Sequence, residues 1–368
     1  MMWMKIHPHK SGNNYYYHLF YIFIILFDMS NNELISTLKK EQSGKIPFWF
    51  MRQAGRYLPE YRDIRKNFSN FLEFCYTPEA ACEVTIQPIT RFNMSAAIIF
   101  SDILVIPDAL GVDVKFSQGH GPILQPVTDL ANLSKDNFEN TLEPVYKAIK
   151  LTRSTLAPDK ALIGFCGLPW TLACYMIEGK GSRDFASVRA TIYQQKDFFG
   201  GLIEILTDAV ISHSLAQIEA GAGIIQLFDS WAGVLSEQEF FDYSITPSQK
   251  ITSAIKAKYP HIPIIGFPRM AGSKMEQYAK ITGVDAVSFD GSVTLDFARN
   301  NLSQYAIPQG NLDNIIFAED KNAAVAQTKQ IIDNFAGKPF IFNLAHGILP
   351  HTPIDNVKAV CDVIQNYT

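Results

Sequence analysis

Between residues 47 and 65 the chain reads Pro-Phe-Trp-Phe-Met-Arg-Gln-Ala-Gly-Arg-Tyr-Leu-Pro-Glu-Tyr-Arg-Asp-Ile-Arg, which sets Arg52, Arg56, Arg62 and Arg65 directly after a short apolar run. Guanidinium groups are rigid forks of N–H donors that match carboxylates and phosphates two bonds at a time. Four of them at a strand-to-loop junction, in a chain of net charge -4, point to a small polyanionic ligand. Gly55 permits close approach of the backbone, and the N–H groups of Gln53 and Ala54 are placed to cap a carboxylate. The competing reading is a solvated face with Glu60 and Asp63 as partners. Arg62 and Arg65, three apart on a following helix, suit that reading equally well.

Four more side chains invite a chemical reading. Asp102 is a carboxylate embedded in the apolar run Ala96 to Pro107. It is either a helix N-cap or, if it points into a dry cleft, a charge that needs donors or a cation. Tyr175 follows the Gly167-Leu168-Pro169 turn, where a core tyrosine is the plain alternative. Ser230, in Phe228-Asp229-Ser230-Trp231, taken alone is no more than a helix cap. His346 stands beside Gly347 after an apolar run; it is a structural histidine or a carboxylate partner.

The elements that must position these residues follow from the hydrophobic pattern. From residue 45 onward about eight short β-prone runs alternate with longer amphipathic stretches such as Gly201 to Ala220 and Ala323 to Phe335. The runs are Pro47 to Met51, Ala96 to Ser101, Ala161 to Cys166, Gly223 to Phe228, Pro263 to Phe267, Asp285 to Phe289, Ala306 to Gly310 and Pro339 to Asn343. Eight such units predict an α/β fold, a single-domain (β/α)8 TIM-type barrel, with a doubly wound open sheet as the alternative. Arg52, Asp102, the Gly167-Leu168-Pro169 turn, Asp229-Ser230, Arg269, Asp290, Asn311 and His346 all fall at or just past the carboxyl ends of the runs. In a barrel those ends share one face, where active sites lie. Val112 to Phe116, followed by Gly119-His120-Gly121-Pro122, predicts a hairpin excursion.

With 368 residues, 47% hydrophobic and 18% charged, the chain can bury a large core. The mixed, slightly acidic charge argues against nucleic acid as a partner. Five cysteines without Cys-x-x-Cys or Cys/His ligand spacing indicate neither a disulfide framework nor a zinc site, and predict reduced thiols in the cytoplasm. Tyr15 to Phe27 is apolar but too short to span a membrane, and no small-residue cleavage site follows it. Residues 1–28 are expected to be an extension outside the domain, and residues 29–368 one domain, with a helix starting just after Met29.

The stretch from Pro47 to Arg65 resembles the N-terminal signature of the uroporphyrinogen decarboxylase family. Gly164 to Gly179 resembles that family's second signature, and Phe228 to Gly233 its strand-end motif with a substrate-binding hydroxyl. The likeness runs from about Leu34 to the C-terminus. It implies a cofactor-independent carboxy-lyase of haem biosynthesis, which turns the four acetates of uroporphyrinogen III into methyls and releases four CO2, giving coproporphyrinogen III. It also implies a homodimer and no membrane partner. By the same resemblance Asp102 binds the pyrrole N–H groups and stabilises a cationic intermediate. Arg52, Arg56 and Arg65 hold carboxylates with Gln53, Ala54 and Gly55, and Tyr175, Ser230 and His346 complete the lining. Asp102, Arg52 and Tyr175 are the catalytic candidates, and the proton donor stays open among Arg52 through a relay, Tyr175 and His346. Departures from the pattern are Ala345 before the histidine, Arg269 where lysine is common, and Asn314 in place of proline. Competing readings are a zinc-dependent corrinoid or coenzyme M methyltransferase on the same barrel, which needs a His/Cys ligand set, and a non-catalytic tetrapyrrole carrier.

Overall fold

The computed structural model describes residues 32–40, 44–117 and 121–367. The expected extension of residues 1–28 lies outside them. The strands are β1 (Ala96–Ile98), β2 (Val114–Ser117), β3 (Gly121–Leu124), β4 (Ala161–Gly167), β5 (Ile224–Asp229), β6 (Ile264–Pro268), β7 (Ala286–Ser288), β8 (Ile307–Leu312) and β9 (Ile341–Leu344). Seven of them pair in parallel in the order β1-β4-β5-β6-β7-β8-β9, with helices in the connections. The antiparallel pair β2 and β3 is the hairpin excursion expected from the sequence.

The eighth position of the barrel departs from expectation. Pro47 to Met51 is not a regular strand but meets β9 through a single parallel bridge, Phe48 to Phe342. Phe342 N–H donates to Pro47 O at 2.9 Å, and on the other side Ser95 N–H donates to Phe48 O at 2.9 Å. A longer backbone bond runs from Trp49 N–H to Phe342 O at 3.4 Å, and side chains supply the other contacts of the seam. Phe48 N–H donates to Ser95 Oγ, Met51 N–H to Asn343 Oδ1, and Gln53 Nε2 to Ala96 O, each at 3.1 Å. The substitution follows from the turn at Arg52, whose left-handed φ of 59° leaves no room for a longer strand. The segment thus joins β9 to β1 and closes a (β/α)8 barrel.

Alternating residues fill the interior in layers. At the amino ends, Ala96, Ile98, Ala161, Ile163, Ile224, Ile265 and Ile341 pack against Leu34, Ile35 and Leu38. Those three belong to the helix Glu33–Leu38, capped by Asn32, whose amide also donates to Ser95 O. Mid-barrel lies a buried polar layer: Trp49 Nε1 donates to Gln309 Oε1 (2.9 Å), and Gln309 Nε2 donates to Ser288 Oγ (2.6 Å) and Gln226 Oε1 (3.2 Å). Above it Phe165, Phe228 and Phe267 meet edge to face at 5.7 and 6.3 Å. The long helix Lys196–Ala220 packs one face outside β4, where Gln217 bonds both N–H and C=O of Phe165.

Gln53 is fully buried at the seam, its Oε1 accepting Phe50 N–H while Nε2 donates to Ala96 O. Gln53→Ala orphans both backbone groups, each worth about 1–3 kcal/mol. We expect a marked fall in the denaturant midpoint; an unchanged midpoint would show that the seam carries no stability.

Candidate active site

The carboxyl ends of the strands carry Arg52, Asp102 after β1, Ser230 after β5, Arg269 after β6, Asp290 after β7 and His346 after β9, with Tyr175 on the helix Pro169–Glu178 behind β4. Arg52 is exposed, whereas Asp102, Tyr175, Ser230, Arg269 and His346 are half-buried.

Asp102 Oδ1 accepts the Leu104 N–H at 2.9 Å ahead of the short helix Val105–Ala109, so the expected local turn is present. Its Oδ2 takes no hydrogen bond from any described residue. A sliver of the residue opens to the cleft, but protein crowds the carboxyl. Burial pushes its pKa up to about 6, against the opposing pull of the Leu104 N–H and the Arg52 charge. At neutral pH it is therefore an anion with an unused acceptor.

Its neighbours are held in complementary states. Burial raises the Tyr175 pKa, with Asp102 adding to the rise and Arg52 opposing it, so the phenol keeps its proton. Trp231 meets the Tyr175 ring edge-on at 6.2 Å, and its indole N–H is buried without a hydrogen bond among the described residues. Burial, then the charges of Arg52 and Arg269, lower the His346 pKa to about 3. The imidazole is therefore neutral at pH 7. Burial lowers the Arg269 pKa, with Asp290 opposing and Arg52 reinforcing.

A second buried carboxylate serves as scaffold. Asp229 accepts Thr171 Oγ1–H at 2.7 Å and Ser244 Oγ–H at 2.6 Å, while Thr171 Oγ1 accepts the Trp231 N–H. These bonds tie the end of β5 to the start of the Tyr175 helix.

The arginine-rich stretch divides. Arg56 is exposed in the loop after Arg52. Arg62 donates to the carbonyls of Arg56 and Tyr57, which is the structural alternative. Arg65 donates to Phe68 O at 2.7 Å. The carboxylate-capping role expected of Gln53 is corrected. Its N–H is committed to Phe50 O at 3.0 Å and its side chain to the seam, which leaves the N–H of Ala54 for a ligand. A Cβ on Gly55 would stand 3.0 Å from Arg52 O, so glycine permits the tight turn there.

Two features of the mouth were not read as parts of a site from the sequence. Arg269 was visible only as a cation past the end of a run. The aromatic floor of Phe165, Phe228 and Phe267 was foreshadowed by two-residue alternation in β4, β5 and β6, but their convergence was not. Among the described residues no group of three or more His, Cys, Asp or Glu side chains is placed to hold a metal ion.

Fold and mouth define a (β/α)8 barrel whose strand ends gather Arg52, Arg269 and the carboxyl of Asp102 above Phe165, Phe228 and Phe267. Residues 29–367 match the family model described as uroporphyrinogen decarboxylase (URO-D). The uroporphyrinogen decarboxylase of Wolbachia sp. subsp. Brugia malayi (strain TRS) is 47% identical, the match covering 92% of this chain and 96% of that protein. That of Rhodospirillum rubrum is 44% identical over 90% of this chain and 96% of its own length. Among solved structures, a methyltransferase from Methanosarcina mazei aligns with TM-score 0.76 at 18% identity, over 92% of this chain and 98% of that one, and so shares the fold. The chain belongs to the uroporphyrinogen decarboxylase family.

Proposed function

We propose that this chain decarboxylates uroporphyrinogen III to coproporphyrinogen III without a cofactor, in porphyrin and haem biosynthesis. The observation that carries the reading at the site is Asp102: a secluded carboxylate, ionised at neutral pH, with one oxygen unused and the Arg52 charge acting on it. A porphyrinogen presents pyrrole N–H donors at its centre and eight carboxylates at its rim. The donors complement Asp102, the rim complements Arg52 and Arg56 with Arg65 nearby, and the ring faces complement Phe165 and Phe228.

The chemistry then needs charge stabilisation above all. Protonation of a pyrrole carbon makes the ring a cationic electron sink. CO2 leaves, and protonation of the exocyclic methylene with loss of the ring proton yields a methyl. Each acetate thus consumes one proton net. Asp102 lies where the cation forms, in a site whose low polarity magnifies its effect. Tyr175, with its proton retained, donates a hydrogen bond to substrate, and Ser230 and the neutral His346 line the cleft. The reading extends to a cytoplasmic homodimer, supported by the family likeness and by five buried, unpaired thiols.

The test is anaerobic incubation of uroporphyrinogen III with the purified chain, without added metal or cofactor, followed by chromatography of the products. Stepwise seven-, six-, five- and four-carboxylate species are expected; tetrapyrrole binding without loss of carboxylates would instead mark a carrier.

The pH dependence gives a separate check. Because Asp102 must be ionised to accept N–H groups, kcat/KM should fall on the acid side with an apparent pKa near 6. Removing the Arg52 charge by Arg52→Gln should move that limb to higher pH, since the cation favours the carboxylate. Asp229→Asn, outside the mouth, should leave it in place. A limb unmoved by Arg52→Gln would assign the titration elsewhere.

A further inference from the structure

Arg269 stands at the mouth without an ion pair among the described residues. Its guanidinium makes only a long contact, 3.5 Å from Nη1 to the Ser230 carbonyl. The carboxylate that acts on it, Asp290, is already committed: Oδ2 accepts the Met270 N–H at 2.5 Å and Oδ1 the Ser292 N–H at 2.8 Å. Arg52 is its electrostatic neighbour and likewise has no ion pair among the described residues. Two adjacent guanidiniums, one half-buried, are costly unless an anion joins them. His346, uncharged beside both, adds no repulsion and can accept or donate one hydrogen bond.

The order of these groups places the anion. Asp102 follows β1 and Arg269 follows β6, three strands further along the sheet order β1-β4-β5-β6. Asp102 and Arg269 therefore stand on different sides of the mouth. With a pyrrole N–H on Asp102, Arg269 is reached by a substituent at the rim of the ring.

Resting on the proposed substrate, we infer that Arg269, with Arg52 and His346, forms a subsite for a substrate carboxylate that is not the one being lost: a propionate, or an acetate awaiting its turn. A departing carboxylate surrenders its charge in the transition state, so two cations gripping it would stabilise the ground state and slow the reaction. A spectator carboxylate keeps its charge throughout, and gripping it contributes binding equally before and during the chemistry.

The test compares wild type, Arg269→Met and Arg269→Lys in anaerobic initial rates with uroporphyrinogen III, and in equilibrium binding of uroporphyrin III by fluorescence. Arg269→Met should raise KM and Kd about tenfold or more, with kcat within about threefold of wild type, the pattern of lost uniform binding. Arg269→Lys, which retains the charge but not the fork, should recover part of the affinity, and keeps the comparison available if the methionine variant fails to fold. Unchanged KM and Kd, or a fall in kcat at unchanged KM, would overturn the subsite. If the wild type binds uroporphyrin without turnover, the proposed reaction fails while the Kd ratio still decides the subsite.

Discussion

Asp102→Asn is expected to lower kcat/KM for uroporphyrinogen III by about two to three orders of magnitude, the range seen when one preorganised charge-stabilising group is removed. Asparagine keeps the shape and the acceptor for Leu104 N–H but not the charge. Stability should move the other way. The folded-state pKa of about 6 lies above the usual 3.8, so the native fold favours the protonated form. Stability from this group is thus full below pH 4 and is lost as pH rises through about 6; by pH 7 the carboxylate costs the fold about 1–3 kcal/mol. Asp102→Asn should relieve that cost, raising the denaturant midpoint at pH 7 and narrowing the gain at pH 4. A residue kept for packing alone would lose stability on replacement and leave turnover intact. Turnover within about threefold of wild type would remove Asp102 from the mechanism.

Gly347→Ala should cut turnover by about 100-fold with little change in stability. A Cβ at Gly347 would overlap the Arg52 side chain at Cγ and Cδ, and the backbone there is not left-handed, so alanine itself is unstrained. Arg52 is exposed, so the fold escapes the clash by swinging the guanidinium into open space. Displacing a positioning group by about 1 Å is enough for a 100-fold loss. The double variant separates this route from others: in an Arg52→Ala background, Gly347→Ala should add almost nothing, because the two act through one group. Full additivity would show that the glycine serves some other purpose. The same contact explains why a histidine-glycine pair follows β9: His346 lines the cleft and Gly347 clears the space over which Arg52 lies.

Much of this was legible along the chain. The runs at Ala161, Gly223, Pro263 and Ala306 became β4, β5, β6 and β8 within a residue or two, because a parallel strand buried on both faces must be continuously apolar. Arg52, Asp102, Ser230 and His346 follow such runs, so the face they share was set by chain direction alone. Tertiary structure decided the rest, because partners came from far along the sequence. Trp49 meets Gln309 and Met51 meets Asn343, separations of 260 and 292 residues, so nothing local told that Pro47 to Met51 closes the barrel through side chains instead of as a full strand. The same distance sent Gln53 to the seam and brought Arg269, seen in the sequence only at a strand end, within the field of Arg52. Residue type and spacing state what a side chain can do; its charge state and its partner depend on burial and on neighbours that only closure of the barrel brings together.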